Sequence, residues 1–205
     1  MRLDDALSDL QAIQDQLRRT RVVTCYRSAT VGASGALALG VAWFQPIVIE
    51  NPVSSPVEYV LVWSLVAALS LLAIAVDTSS RYWTKVSALA RAQTRATVIE
   101  FAPCVIAGGL LTLVIVFHGL KFAPLLPALW SIFFSMGLLT TRHRWPPMAM
   151  WVGIYYLLAG LICARYAVGP QAFAPWMMAL TFGCGQLMAA AVLHVYQENC
   201  RAKGT

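Results

Sequence analysis

Residues 98–118 read VIEFAPCVIAGGLLTLVIVFH, and this nearly uninterrupted apolar stretch decides the fold class. The hydrocarbon core of a membrane is about 30 Å thick, which an α-helix of roughly 20 apolar residues crosses. Lipid offers no hydrogen bonds to a backbone, so a spanning segment this apolar has to be helical. The stretch also lacks the alternating pattern of a membrane β-strand. We therefore predict a transmembrane helix over these residues.

Five further stretches have the same character. The predicted spans are residues 28–48, 57–76, 98–118, 124–141, 149–168 and 173–196. The composition agrees, because 59% of the residues are hydrophobic and 12% are charged, whereas soluble domains carry about 25% charged residues. This excludes a disordered chain, a disulfide scaffold and an ordinary water-soluble enzyme. We expect an all-α polytopic membrane protein with a six-transmembrane-helix bundle at 28–196, preceded by a lead-in at 1–27 and followed by a tail at 197–205.

The distribution of basic residues predicts the orientation of this bundle. With six spans, only Lys121 and Arg165 fall on one side of the membrane, and the other 13 of the 15 Lys and Arg residues fall on the opposite side. Loops rich in Lys and Arg stay in the cytoplasm. We therefore expect both termini in the cytoplasm. The net charge of +6 is then a topology signal, and no nucleic-acid partner is expected.

The longest inner loop, residues 77–97, is expected to extend spans two and three as helix into the cytoplasm. Its basic residues are Arg81, Lys85, Arg91 and Arg95. Such residues attract anionic headgroups, so membrane lipid is an expected partner of this loop. The sequence shows no third element that would complete a specific phosphate site.

Residues 3–21 predict an amphipathic cytoplasmic helix. Apolar residues recur there at three- and four-residue spacing, at Leu3, Leu7, Leu10, Ile13 and Leu17. Acidic residues come first and arginines last, which complements the helix dipole. Two interpretations stay open. The helix docks on a protein partner or a second copy of the chain, or it lies on the membrane surface or against the cytoplasmic end of its own bundle.

A faint internal repeat favours a bundle built from three helical hairpins. At an offset of 51 residues, Gly-Leu-Leu at 109–111 matches Gly-Leu-Ile at 160–162, and Phe-Ala-Pro at 122–124 recurs at 173–175. Both hairpins would start at the cytoplasm, as a parallel repeat. The alternative is shared helix-start chemistry, because proline is favoured in the first turn of a helix.

Small residues at four-residue spacing predict where helices approach closely. Span one carries Ser28, Gly32, Ala36 and Gly40, and span six carries Gly185 and Ala189. The Gly32/Ala36/Gly40 face is a candidate contact between copies of the chain, and packing within one chain is the alternative.

Polar side chains inside a membrane are candidate functional groups. The candidates are Glu100, His118, Arg165, Gln186 and His194. Only Gln186 is deep in its span, and it is neutral, so the chain lacks the mid-membrane acids of a proton-coupled pump. His118 and Arg165 share a similar depth near the outer surface. They would bind a small anion or headgroup there, or form an interfacial hydrogen-bond network.

No metal, cofactor or catalytic residue is expected. Haem held by two histidines needs them at one depth, and His118 is outer while His143 and His194 are inner. Gly-Ala-Ser-Gly at 32–35 is similar to the nucleophile motif of rhomboid intramembrane proteases, and His194 lies in the sixth span, as their base does. However, the serine lies in the first span instead of the fourth, and their second-span histidine and asparagine pattern is absent.

The whole chain resembles a group of uncharacterised bacterial inner-membrane proteins. The resemblance rests on LDDAL at 3–7 with Ile13, on YRSAT at 26–30, and on FGCGQL at 182–187 with AAVL at 190–193. It implies a six-span bundle in the bacterial inner membrane, and it implies no activity.

Three functions therefore compete. The first is a non-enzymatic accessory or regulatory partner of another protein, which the amphipathic helix and the lack of mid-membrane charge favour. The alternative is a small oligomeric transporter or channel, which the parallel hairpins and Gln186 favour. The third is an intramembrane enzyme, which would need Ser34 or His194 to be essential.

Overall fold

The computed structural model describes residues 27–49, 51–84 and 88–202, and every regular element within these ranges is helical. The long helices are α1 (Ser28–Val48), α2 (Pro56–Thr84), α3 (Ala88–His118), α4 (Leu126–Thr140), α5 (Ala149–Tyr166) and a composite α6. α6 is α-helical over Pro175–Met178, π-helical over Ala179–Cys184 and α-helical again over Gly185–Ala202. The predicted amphipathic helix at residues 3–21 lies outside the described residues.

Within the described ranges, six helices are long and apolar enough to cross a membrane, which confirms the number expected from the hydropathy pattern. α1 coincides with the predicted span 28–48. α2 and α3 are longer than the predicted spans 57–76 and 98–118, with 29 and 31 residues. At 1.5 Å per residue they measure about 44 and 46 Å, more than the core of about 30 Å. They extend past the apolar segments as helix, as expected for the loop 77–97.

Proline shapes the turn between α3 and α4. Gly119 leads into a 3₁₀ turn, Leu120–Leu125, which contains Pro124. Pro127 then takes the second position of α4, where no intrahelical partner for its N–H is needed. The predicted span 124–141 therefore begins as a tight 3₁₀ turn before it becomes α-helical.

The turn between α5 and α6 contains two residues in the left-handed region, Gly169 with φ 99° and Phe173 with φ 64°. Glycine adopts such angles freely, whereas phenylalanine does so only where surrounding contacts hold it. Pro175 then begins α6. Because α6 continues to Ala202, the predicted tail at 197–205 begins as helix.

The π-helical part of α6 is closed by side-chain hydroxyls. A π segment disturbs the regular i to i−4 hydrogen-bond ladder. The Tyr155 hydroxyl of α5 donates to the Leu180 carbonyl oxygen at 2.6 Å. The Thr181 hydroxyl donates to the Met177 carbonyl oxygen at 2.8 Å. These bonds satisfy carbonyl groups that lipid could not.

The closest helix pairs are α4 with α5 and α1 with α6. The first pair crosses the boundary between two predicted hairpins, and the second joins the first and last spans. α3 also packs on α4, while α1 and α2 touch more sparsely. The contacts therefore do not single out three hairpins, and the hairpin origin of the bundle stays a prediction.

The main buried core lies toward the turns that follow α1, α3 and α5. Its largest members are Tyr59, Trp63, Leu126 and Phe173. By contrast, α2 exposes an apolar stripe along most of its length. Each member of this stripe is at least 47% exposed, namely Leu61, Leu65, Leu69, Leu72 and Val76. Such a stripe is compatible with lipid contact.

Candidate functional site

Polar contacts between helices gather at two ends of the bundle. At one end, Thr30 Oγ1 donates to Asp77 Oδ2 at 3.1 Å and Ser28 Oγ donates to Gln197 Oε1 at 3.5 Å. These bonds join the start of α1 to the ends of α2 and α6. We call this end, which also holds the Glu100–Arg144 contact described next, the basic end. The opposite end, with the turns that follow α1, α3 and α5, is called the turn end.

Glu100 of α3 is the centre of the candidate site at the basic end. Arg144 Nε donates to Glu100 Oε2 at 2.9 Å, and Arg144 Nη2 donates to the other carboxylate oxygen. His143 Nε2 lies 3.6 Å from Glu100 Oε2. This two-point contact fixes the guanidinium plane as well as its distance. The Glu100 side chain is 33% exposed, so the cluster can be reached from outside the bundle.

The Arg144 side chain is positioned by the way α4 ends. The buried Thr141 hydroxyl donates to the Gly137 carbonyl oxygen at 2.7 Å, and it accepts a bond of 3.0 Å from Trp145 Nε1. A 3₁₀ turn over Arg142–Arg144 follows. The hydrogen bond to Glu100 raises the pKa of the Arg144 guanidinium above its ordinary range. Arg144 therefore stays a cation and serves as an orienting group.

The polar groups in the interior between the two ends are mainly hydroxyls. Apart from tyrosine and cysteine, the sequence segments that fill this interior contain no ionisable acid or base. These segments are 29–48, 59–76, 101–117, 122–141, 145–164 and 166–193. The Ser131 hydroxyl donates to the Tyr156 carbonyl oxygen and the Ser135 hydroxyl to the Gly153 carbonyl oxygen, both at 2.7 Å. Both serines are fully buried. These bonds join α4 to α5, and they use the interior polar groups for helix association.

A buried polar chain closes the turn end. Trp63 Nε1 of α2 donates to Gln45 Oε1 at 3.2 Å, and Gln45 Nε2 of α1 donates to the Phe173 carbonyl oxygen at 2.8 Å. The Tyr59 ring meets the Phe173 ring edge-on, with centroids 4.9 Å apart. All four side chains are 5% exposed or less. This packing holds Phe173 in its left-handed conformation.

The predicted polar candidates are not brought together. His118 ends α3 at the turn end and is exposed, and Arg165 lies over the Tyr166 ring, 5.9 Å from its centroid. Within the described part of the chain, no hydrogen bond or ion pair joins these two side chains. His194 lies at the basic end, with its Nε2 3.3 Å from Glu198 Oε1. Of the five candidates, within the described part of the chain, Glu100 alone enters a cluster of more than two ionisable side chains.

Gln186 lies against α1. A methyl group added at Gly35 would lie 3.0 Å from Gln186 Cβ and from the Gly183 carbonyl oxygen. The predicted packing residue Gly185 meets Tyr156, since an added Cβ would lie 2.5 Å from the ring carbon Cζ. Ala189 is half-buried on the same helix.

The predicted small-residue stripe of α1 is only partly used within the chain. Ser28 bonds α6, and an added Cβ at Gly32 would lie 3.4 Å from Ala190 Cβ. Ala36 is exposed, and a Cβ at Gly40 would meet nothing within 4 Å among the described residues. The close contact between α1 and α6 lies at Gly35 instead. A homo-oligomer contact through Gly32, Ala36 and Gly40 stays a prediction.

Gln45, Trp63 and Arg144 are not among the candidate residues predicted from the sequence. Gln45 stands one residue before Pro46 in the last turn of an apolar span, and an amide in such a place is a usable signal of a buried hydrogen bond. Arg144 is correctly expected on the same side as Glu100. Their pairing depends on how α3 packs against α4, which no local pattern reports.

The serine and histidine of the rhomboid-like comparison have local partners. Ser34 Oγ donates to the Val31 carbonyl oxygen on its own helix at 2.7 Å, and His194 contacts Glu198 one turn away. Among the described residues, no three His, Cys, Asp or Glu side chains come together as a metal site. No family model, curated protein or solved structure matches the chain. The resemblance noted in the sequence therefore stays a prediction.

Proposed function

We propose that the chain is a non-enzymatic six-span protein of the bacterial inner membrane that acts as an accessory or regulatory partner of another membrane protein. The observation that carries this proposal is the use of the interior hydroxyls. Ser131, Ser135, Tyr155 and Thr181 all donate to backbone carbonyl oxygens. Hydroxyl groups that are already bonded to backbone carbonyl groups, between helices or within one, leave little for chemistry inside the bundle.

The basic end carries exposed polar side chains beside an ion pair. Arg142 and His143 are exposed beside the Glu100–Arg144 pair. An exposed arginine beside an ordered ion pair suits recognition of an acidic protein surface. The amphipathic segment 3–21 would dock beside them, with both termini in the cytoplasm.

Substitutions within segment 3–21 test the accessory role in the full-length chain. Leu7→Ser with Leu10→Ser removes the apolar face of the expected helix, and Asp5→Asn with Asp9→Asn is the control on its polar face. Tagged chains are purified in a gentle detergent, and the mass of the complex is measured by light scattering. We expect a mass above that of the monomer, which the leucine pair lowers and the aspartate pair retains. A monomer mass for the unaltered chain would refute the proposal.

The orientation has its own test. A green fluorescent protein fused after Thr205 should fluoresce, because it folds in the cytoplasm, and alkaline phosphatase fused at the same place should be inactive. The opposite pair of results would place the C-terminus outside and refute the expected topology.

A three-hairpin origin is the finer proposal on architecture. The two Phe-Ala-Pro motifs, at 122–124 and 173–175, both stand at the turn end just before or at the start of a helix, α4 or α6. The motifs differ in detail, because Phe122 is 49% exposed while Phe173 is buried. This difference fits a duplication whose two copies have since packed differently.

A small oligomeric transporter or channel is the second candidate. It is favoured by the Tyr156 hydroxyl, which is buried beside Gly185 and the π segment without a hydrogen-bond partner among the described residues. π segments are frequent at functional sites. Uptake of labelled amino acids, sugars and inorganic ions into liposomes tests this, with Tyr156→Phe as the variant. Flux that Tyr156→Phe abolishes would favour transport over the accessory role.

A further inference from the structure

One helix face at the basic end is charged and lines an open groove. Residues of α3 line an open groove of about 470 Å³, with two arginines above a floor of small and apolar side chains. The lining residues are Ala88, Arg91, Ala92, Arg95, Ala96 and Ile99. Their spacing of three and four places all of them on one side of the helix.

The two arginines stand one helical turn apart, about 6 Å along the axis. Ala92 lies between them, and Ala88 and Ala96 lie one turn to either side on the same face. Alanine carries no side chain beyond Cβ, so both guanidinium groups can converge on a ligand that contacts these alanines. Neither Arg91 nor Arg95 has a carboxylate oxygen within 4.0 Å in the described part of the chain. The positive charges of the two guanidinium groups are therefore not offset by a described carboxylate. The planar guanidinium, with its N–H donors, matches the geometry of a phosphate group.

The length of α3 places these arginines at a defined depth. Measured from His118 at the turn end, Arg95 is about 35 Å away and Arg91 about 40 Å away along the helix. A hydrocarbon core of about 30 Å that begins near His118 would end near Glu100. Arg95 and Arg91 would then lie about 5 and 10 Å beyond it, in the headgroup layer.

We propose that the Arg91/Arg95 face of α3 binds the phosphate of an anionic phospholipid, with the glycerol and the upper acyl chain on Ala92, Ala96 and Ile99. The membrane itself presents the phosphate at the height of the two arginines, so no third protein element is needed. A lipid with net negative charge is favoured over a zwitterionic one, because among the described residues no carboxylate oxygen lies within 4.0 Å of Arg91 or Arg95 to offset their charge. This site is independent of the proposed accessory role.

The test is lipid binding to the delipidated full-length chain, measured by native mass spectrometry with phosphatidylglycerol, phosphatidylcholine and inorganic phosphate as separate probes. We expect phosphatidylglycerol to bind, with affinity about 30-fold weaker in the Arg91→Gln/Arg95→Gln variant. The matched control is Arg27→Gln/Arg142→Gln, which removes two exposed arginines from the same end and should weaken binding by less than about 3-fold.

Four results would overturn the proposal. Equal binding of phosphatidylcholine would remove the charge selectivity, and equal weakening in the control variant would show a diffuse attraction. Competition by inorganic phosphate at equal concentration would point to a soluble ligand. Tighter phosphatidylglycerol binding after Asp4→Asn with Asp5→Asn and Asp9→Asn would show that the acidic N-terminal segment occupies the face. If the double variant fails to fold, Arg95→Gln alone carries the same comparison.

Discussion

The two ends of the bundle hold their polar groups in opposite ways. At the turn end, Gln45 and Trp63 are buried, and the chain of hydrogen bonds runs through Gln45 to the Phe173 carbonyl group. At the basic end, Glu100 and Arg144 form an ion pair that stays partly exposed. Buried polar groups are costly when a partner is lost, whereas exposed ion pairs contribute little. The turn end is therefore expected to contribute more to stability than the basic end, and the proposed binding surface lies at the basic end.

The largest effect is expected from disrupting the packing of α1 against α6 at Gly35, which we call the seam. α1 contacts the α6 side of the bundle at both ends, and Gly35 lies between these contacts. Gly35→Leu would place its Cβ 3.0 Å from the Gly183 carbonyl oxygen and the Leu187 backbone nitrogen. Backbone atoms cannot move aside cheaply, so we expect a loss of at least about 3 kcal/mol in the free energy of unfolding. Unfolding in mixed micelles measures it.

The control for the seam is Gly40→Leu, because a Cβ there would meet no neighbour within 4 Å among the described residues. Its free energy of unfolding should change by less than about 1 kcal/mol. A loss as large as that of Gly35→Leu would contradict the proposed seam. A fall in oligomer mass in Gly40→Leu alone would support the predicted homo-oligomer face.

The next effect tests the turn end directly. Gln45→Leu leaves the Trp63 N–H and the Phe173 carbonyl group without a partner in an apolar setting, so we expect a loss of about 2 kcal/mol in the free energy of unfolding. Gln171→Leu is the matched control, because Gln171 is exposed and accepts a bond of 2.9 Å from Trp176 Nε1. It should cost less than about 0.5 kcal/mol. Equal losses in both variants would mean that burial does not distinguish the two bonds.

A smaller effect of opposite sign is expected from the hydroxyl of Tyr59. This group is buried and has no hydrogen-bond partner among the described residues. Tyr59→Phe removes an unsatisfied polar atom, so we expect a gain of about 1 kcal/mol. Tyr155→Phe removes a hydroxyl that donates to the Leu180 carbonyl oxygen and should lose a similar amount. Destabilisation by Tyr59→Phe, measured by the same unfolding assay, would show that its hydroxyl is bonded after all.

The sequence is informative where one segment decides the outcome. Each apolar run predicts its own helix, which is why the described residues contain six helices long and apolar enough to cross a membrane, the number expected. The predicted small-residue stripe on α1 matches the observed helix contacts less well, for a geometric reason. Four residues advance an α-helix by about 400°, so each step drifts by about 40° and Gly40 ends about 120° from Ser28. The actual contact follows the three-and-four spacing through Gly32 and Gly35.

The sites depend on contacts that no local pattern encodes. Gln45 and Phe173 are 128 residues apart in the chain, and Glu100 and Arg144 are 44 apart. The charge distribution correctly placed the second pair at one end of the bundle. It could not report which of the basic residues there would face Glu100, because that depends on how α4 ends and packs against α3.

The smallest effect on stability is expected at the basic end. Glu100→Gln and Arg144→Gln, alone and together, should lower the melting temperature less than Gln45→Leu does, and their coupling should fall as salt is added, because the pair is partly exposed to solvent. Glu198→Gln, which removes the exposed partner of His194, is the control for a simple loss of charge. If the basic end serves binding, these variants should instead lower the recovered mass of the complex. The alternative result is a melting temperature lowered as far as in Gln45→Leu, with the complex mass unchanged. It would show that Glu100 and Arg144 stabilise the fold and do not serve binding, and it would contradict the proposed difference between the two ends.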